Sequence, residues 1–414
     1  MTDEHVKPVP QVMNNTLSSD LICRPEFMSG ATLLAPFAQH CASQRLMMWN
    51  SHASQAVVLD HAEQPNIMTG YESIFGRYEY STCRVSQDMV VRAKIPKFNP
   101  MTFHKIGNGK MPSELIVYVG NDDGKVHCME VSSYTMLNEN FGYFNKTPGA
   151  DKDLLYEGSF IPKGEVLTTS PAHDGAAWGM GLNANVVFLG DWGSTEDAFV
   201  VSRSLAERGT NTAIHQVRLD IDPKTVPLDL YGDGVSHICF PKIGDRVRHD
   251  GSLIAIRKVN PSTFVPDMTP ERLRTIEQIH DEDHMAVPGS EIIDVDVFIN
   301  EDAVKKMDSD KTLYQQFFDF AECRRYQYDQ ILNVYEQLCI REGLPCGEDF
   351  SNMVVRAATL SNNKKYIKKR IKLCDGREPI EFIKVVITYA NKRKITVGTK
   401  ITGREGQRVP VLSR

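Results

Sequence analysis

The run Ile383-Lys384-Val385-Val386-Ile387-Thr388-Tyr389 has few outcomes open to it other than a buried β-strand, because β-branched and aromatic residues alternate there without proline or glycine. It is followed by Asn391-Lys392-Arg393-Lys394, a Val397-Gly398 turn, and Lys400-Ile401-Thr402-Gly403-Arg404-Glu405-Gly406-Gln407-Arg408. Glycine lets a backbone approach a ligand closely and Lys/Arg supply positive charge, so a strand feeding such a loop is a pattern for holding phosphates. From Lys364 to Arg408 fourteen basic residues stand against four acidic ones. That excess is the footprint of a phosphate backbone or a nucleotide, and equally of a solvated basic face. Six residues after Arg408 the chain stops, and the expectation is that another element completes the loop.

Elsewhere the balance is different. The 414 residues carry a net charge of -6 and are 41% apolar, which argues against a general nucleic-acid coat and for several compact units. Nine cysteines contain no C-x-x-C pair, a pattern of reduced thiols rather than of a disulfide framework or zinc ribbon. The polar first twenty residues, with Pro8 and Pro10, have no signal-peptide core, and no apolar run is long enough to span a bilayer. A soluble chain of the cell interior is expected.

Taken in order, Pro36 precedes a segment, Phe37 to Asn50, in which Phe37, Cys41 and Met48 fall at helical spacing. This predicts an amphipathic helix carrying Arg45, with Met47-Met48-Trp49 as core, followed by a strand over Gln55 to Leu59. Arg45 reads alone as a helix-pairing arginine as readily as a ligand contact. Strands are expected at Asp88–Ile95 and Glu114–Val119, with Gly120 to Lys125 as a hairpin turn. Asn185-Val186-Val187-Phe188-Leu189 reads as a strand covered on both faces. Ser194-Thr195-Glu196-Asp197 follows, either a helix cap or a carboxylate pair that places a divalent cation. Phe240–Val247, Ser252–Arg257 and Ile292–Phe298 suggest a small β-module, and Asp310 to Arg341 a long helix packed through Phe317, Phe320 and Ile331. Asp281-Glu282-Asp283-His284 and the Asp294/Asp296 pair are read as an acidic turn and a half-buried strand, with metal binding as the other possibility.

The order of these landmarks resembles the central and C-terminal part of the β subunit of multisubunit RNA polymerases. Leu34-Ala35-Pro36-Phe37 through Arg45 and Gln55-Ala56-Val57 is similar to a helix bearing a substrate-facing arginine. Gly181 to Asp197 is similar to a strand, aromatic turn and Glu-Asp pair, Val287-Pro288-Gly289 with Ile292 to Val295 to the flap region, and Ile395 to Arg408 to a strand-loop with two basic catalytic-centre residues. The resemblance implies a mixed α+β, β-rich fold that includes part of a double-psi β-barrel with an inserted flap-like module. Its divisions would be a polar tail (1–27), a segment lining the active centre (28–75), a β-rich module (76–180), a first barrel part (181–208), a flap-like insertion with a long helix (209–380), and a second barrel strand with the basic loop (381–414).

The implied roles follow residue by residue. Lys400, Arg408 and Arg45 would meet the RNA 3′ end and the triphosphate. Glu196 and Asp197 would help hold a second Mg2+ through water, and Gln55, Lys392, Arg393, Lys394 and Arg404 would contact nucleic acid. Arg408 stands where a second lysine is usual, Glu405 where a histidine is usual, and Ser54 where another arginine is common. No N-A-D-F-D-G-D-like aspartate triad occurs. The implied activity is therefore nucleotidyl transfer shared with other β-like and β′-like chains, on a DNA template with nucleoside triphosphates and an RNA product. Mg2+ would be held mainly by a β′-like partner, and the chain would be inactive alone. This division resembles the polymerases of giant tailed bacteriophages, which work inside the host cell. Two other readings are a non-catalytic nucleic-acid-binding or assembly protein, and a metal hydrolase built on Glu196, Asp197, Asp294 and Asp296.

Overall fold

The computed structural model describes residues 28–78, 82–138, 140–147, 155–174, 177–190, 198–233, 236–258, 269–277, 279, 281–305, 311–361, 363, 365–366, 374–375 and 378–413. The protein is mixed α/β and rich in strands.

Three short helices begin the described chain: α1 (Gly30–Leu33), α2 (Ser43–Ser54) and α3 (Glu72–Tyr78). The expected helix from Phe37 is interrupted because Phe37 takes a left-handed backbone, φ 53°, and the chain makes a single 3-10 turn, Ala38–His40, before α2 starts. Only Trp49 of α2 is buried; Met47 and Met48 face outward, so the Met-Met-Trp run is not core as a whole. The Trp49 indole donates to the Ala31 carbonyl at 2.7 Å and Ser29 donates to Asn50 at 2.7 Å, which ties α1 to α2. Residues 56–59 are extended without a strand partner, which corrects the strand expected there.

The β-rich module is a four-stranded antiparallel sheet. Its strands are β1 (Met89–Pro96), β2 (Ser113–Gly120), β3 (Val126–Ser132) and β4 (Phe160–Ile161), in the order β3-β2-β1-β4. Strand alternation sends Leu115 and Val117 to one core and Ile116 and Tyr118 to another, so β2 is covered on both faces. The Gly120-to-Lys125 turn forms as expected, with Gly124 at φ 63°.

A second body surrounds the opening strand of the sequence argument. After β5 (Phe199–Val200) come β6 (Thr210–Ile221), β7 (Thr225–Pro227), β8 (Ser252–Lys258), β9 (Asp281–Met285) and β10 (Glu291–Ile299). Helices α4 (Gln315–Tyr335) and α5 (Glu348–Leu360) follow, then β11 (Ile383–Lys394), β12 (Lys400–Thr402) and β13 (Arg408–Ser413). Strand β11 is central in a sheet of order β6-β11-β10 and pairs with β6 from Thr210↔Lys394 to Ile221↔Ile383. Ile383, Val385, Ile387 and Tyr389 alternate into a core shared with Phe317 and Phe320 of α4. The strand runs on through Lys392-Arg393-Lys394, so these residues end a strand rather than begin a loop.

Three expectations change here. Ile292–Phe298 pairs with β11, not with β8, so it belongs to the long sheet. Phe240–Val247 is a buried irregular segment rather than a strand. Val186, Val187, Phe188 and Leu189 form no strand and are 62 to 90% exposed: an apolar run can be read as buried, but its burial requires neighbours, and none of the described residues covers it. The Glu196/Asp197 pair lies outside the described residues. The expected long helix is present as α4, continued by a π-helical stretch, Glu336–Arg341.

Candidate functional site

The basic loop is the tip of a hairpin. β12 and β13 pair antiparallel, Lys400↔Pro410 and Thr402↔Arg408, and β13 pairs in parallel with β5. Opposed residues of an antiparallel ladder point to the same face, so Lys400, Thr402 and Arg408 share one. Lys400 and Arg408 are diagonal neighbours on it, roughly 7–8 Å apart in such a ladder.

Helix α2 lies across the hairpin through backbone as well as side chains. Gly406 has φ 83°, and a Cβ there would stand 2.5 Å from the Arg45 carbonyl oxygen. Only a residue without a side chain allows this approach. Thr402 Oγ1 is 3.3 Å from His52 Nδ1, and the Arg408 guanidinium donates to the Gln55 side-chain oxygen. Segments some 350 residues apart in sequence are thus in direct contact. Arg45 and Lys400 are exposed, and neither side chain has a hydrogen bond or ion pair among the described residues. Arg408 is exposed apart from its bond to Gln55.

Arg404 is placed differently. Its guanidinium donates to the Leu34 carbonyl at 3.1 Å and the Ile67 carbonyl at 2.6 Å, and lies 3.7 Å from Glu72. Burial lowers its pKa, and the charges of Glu72 and Glu405 oppose that fall. Glu72 is fully buried and accepts from the Thr69 and Gly70 amides. The strand end beside the hairpin is more open: Lys392, Arg393 and Lys394 are exposed, with Lys392 3.9 Å from Asp60 and Arg393 3.1 Å from His215 Nε2. Ser54, at the end of α2, donates to the Ser51 carbonyl of its own helix.

Comparison with known proteins bears on this arrangement. No protein-family model matches the chain. The DNA-directed RNA polymerase subunit beta of Phytoplasma mali (strain AT) is 24% identical over 401 residues, which is 92% of this chain and 27% of that protein. The protein of the same description from Leifsonia xyli subsp. xyli (strain CTCB07) is 23% identical over 387 residues, again 92% of this chain and 26% of the relative. That from Corynebacterium jeikeium (strain K411) is 28% identical over 301 residues, 67% of this chain and 24% of the relative. The chain is β-subunit-like. It spans about a quarter of the length of the curated relatives it matches.

The acidic candidates of this β-subunit-like chain resolve into ion pairs. Buried Lys97 lies 2.5 Å from Asp294 and 3.0 Å from Asp296, Tyr134 donates to Asp294 at 2.8 Å, and Arg324 stands 3.8 Å from Asp296. Burial alone would lower the Lys97 pKa, but the two carboxylates outweigh it and raise it. These groups line a polar cavity of about 180 Å³ between β2, β3, β10, α4 and α5. The lysine occupies the position that a metal would need between the two aspartates. Asp281 is in strand β9, not a turn, and clasps the fully buried Arg257 through two bonds of 2.7 Å. Among the described residues no group of three or more His, Cys, Asp or Glu could hold a metal, and no helix is long and apolar enough to cross a membrane.

Sequence reasoning placed Arg45, Lys400, Arg408 and Gln55 in one neighbourhood through the resemblance. It missed Glu72 and His52, and it assigned Arg404 outward. The glycines of Gly403-Arg404-Glu405-Gly406 are the available signal: Gly406 marks a backbone contact, and the arginine between them bonds the Leu34 and Ile67 carbonyls.

Proposed function

We propose that this chain acts as a β-like component of a multisubunit DNA-directed RNA polymerase, in which Arg45, Lys400 and Arg408 meet the phosphates of the nucleoside triphosphate and the RNA 3′ end during nucleotidyl transfer. The observation that carries the proposal is the seating of the α2 helix on the β12–β13 hairpin, Gly406 against the Arg45 backbone. It brings together the segments of three exposed cations that have no carboxylate partner among the described residues. A guanidinium offers phosphate oxygens a planar fork of donors and an ammonium a mobile point charge, so the set suits the several oxygens of a triphosphate. Fixed positive charge lowers the barrier of phosphoryl and nucleotidyl transfer by neutralising charge that spreads onto those oxygens.

On this reading residues 181–208 and 381–414 contribute parts of a double-psi barrel around the flap-like insertion 209–380, which the parallel pairing of β5 with β13 supports. Lys392, Arg393 and Lys394 would extend the basic face along the nucleic acid, with Gln55 orienting Arg408. Mg2+ would be held by a β′-like partner with help from Glu196 and Asp197; the described residues supply no donor set that fits it. The departures at Ser54, Glu405 and Arg408 support the finer reading, a divided polymerase of the giant-bacteriophage type that works inside the host cell with several companion chains.

Affinity purification of the tagged protein from its source tests the proposal. Co-purification of large β- and β′-like chains with template-dependent RNA synthesis is expected. A lone chain without associated RNA synthesis would contradict it.

A further inference from the structure

The resemblance gives Arg404 a contact with nucleic acid, but the fold gives this basic residue of the loop different partners. Arg45, Lys400 and Arg408 are exposed, whereas Arg404, between Lys400 and Arg408 in sequence, is turned inward and keeps only 18% of its side-chain exposure. Its three partners come from three separate stretches: Leu34 at the end of α1, Ile67 in the segment before α3, and Glu72 on α3 itself. Glu72 is in turn fixed by the Thr69 and Gly70 amides and the Thr69 hydroxyl. An arginine in this setting has few donors left over, since two carbonyls and a carboxylate already face its fork.

We propose that Arg404 and Glu72 are positioning residues: a buried latch that clamps the hairpin tip to the α1–α2 segment and so sets the spacing of Arg45 from Lys400 and Arg408. The inference rests on the polymerase reading for its consequence in catalysis, and on geometry alone for the latch. Two fixings act on the same loop from opposite ends. Gly406 permits contact with the Arg45 backbone, and Arg404 holds the neighbouring turn to Leu34, which precedes α2 by a few residues. Loosening either end lets the hairpin shift relative to α2. A misplacement of about 1 Å in groups that hold a reacting phosphate costs on the order of a hundredfold in rate.

The test separates positioning from direct contact with phosphate. Arg404→Lys keeps the charge but loses the fork that bridges two carbonyls, and Glu72→Gln keeps the shape but loses the charge. In the full chain, both are expected to speed amide exchange in residues 43–55 and 400–408 by on the order of tenfold. In the assembled polymerase, both are expected to lower kcat for single-nucleotide addition tenfold to a hundredfold, on the order of the misplacement cost. The slope of log Kd against log salt for an RNA–DNA primer-template should stay unchanged. An Arg404→Lys variant with wild-type rate and exchange, or a silent Glu72→Gln, overturns the latch. So does an Arg404→Ala salt slope reduced by about one, the mark of a lost phosphate contact. If the wild-type assembly makes no RNA, the polymerase reading fails, and the exchange data still decide the latch.

Discussion

The hairpin tip and the Lys97 cluster hold the same kinds of side chain in opposite states. Around Lys97 each charge is matched: the buried lysine lies between buried Asp294 and half-buried Asp296, with an arginine beside the second and a tyrosine on the first. At the hairpin, Arg45 and Lys400 are exposed and have no carboxylate partner among the described residues, where Arg408 is held by a neutral glutamine. Like charges left close together and unneutralised cost the fold a little and gain it nothing, so their arrangement points outward to an anionic ligand. Charges enclosed by their partners point inward, to the fold. On the proposed function, the difference assigns stability to the first region and phosphate contact to the second.

That contrast can be broken from either side. The largest effect is expected at Lys97→Ala, which strands the buried Asp294 carboxylate beside the half-buried Asp296 and should cost about 3–5 kcal/mol in urea unfolding; a loss below about 1 kcal/mol would mean that the cluster is not an enclosed ion-pair network. Gly406→Ala comes next. Its Cβ meets the Arg45 carbonyl and its φ is positive, so a destabilisation of about 1–3 kcal/mol is expected, together with slower nucleotide addition. An unaffected Gly406→Ala variant would show that α2 and the hairpin are not in contact.

The smallest expected effect is a pH dependence at His127, which bridges Asp123 and Asp349, each at 2.9 Å. Burial pulls its pKa down, but hydrogen bonds to the two carboxylates and their charges outweigh burial and raise it. Because the folded value exceeds the unfolded one, the stabilisation is complete below about pH 6.5 and is lost as pH rises through the raised folded value. Urea unfolding from pH 6 to 8 should show the loss in the wild type and not in His127→Asn. Parallel profiles would remove the bridge from the account.

Which parts of the molecule could be read from sequence follows from where the information lies. Strands β1 and β2, the Gly124 turn, helix α4 and the core face of β11 announce themselves because periodicity and turn chemistry are local. Phe37 does not: its left-handed backbone splits an otherwise helical pattern, and no residue preference marks it. Val186 to Leu189 shows the converse, an apolar run whose pattern describes a buried strand and whose described neighbours do not cover it. For the site, the order of motifs along the chain is what points to Lys400, Arg408 and Arg45. The inward turn of Arg404 and the capture of Asp294 and Asp296 by Lys97 depend on partners 197 to 370 residues away in sequence, a distance at which spacing carries no information.

The central claim is that the exposed cations of the hairpin and α2 act on phosphate. Single-nucleotide addition by the assembled polymerase carrying Lys400→Ala tests it most directly. Loss of one preorganised charge contact predicts a rate lower by on the order of a hundredfold, with the stability of the chain unchanged. A wild-type rate in a correctly assembled complex would contradict the claim.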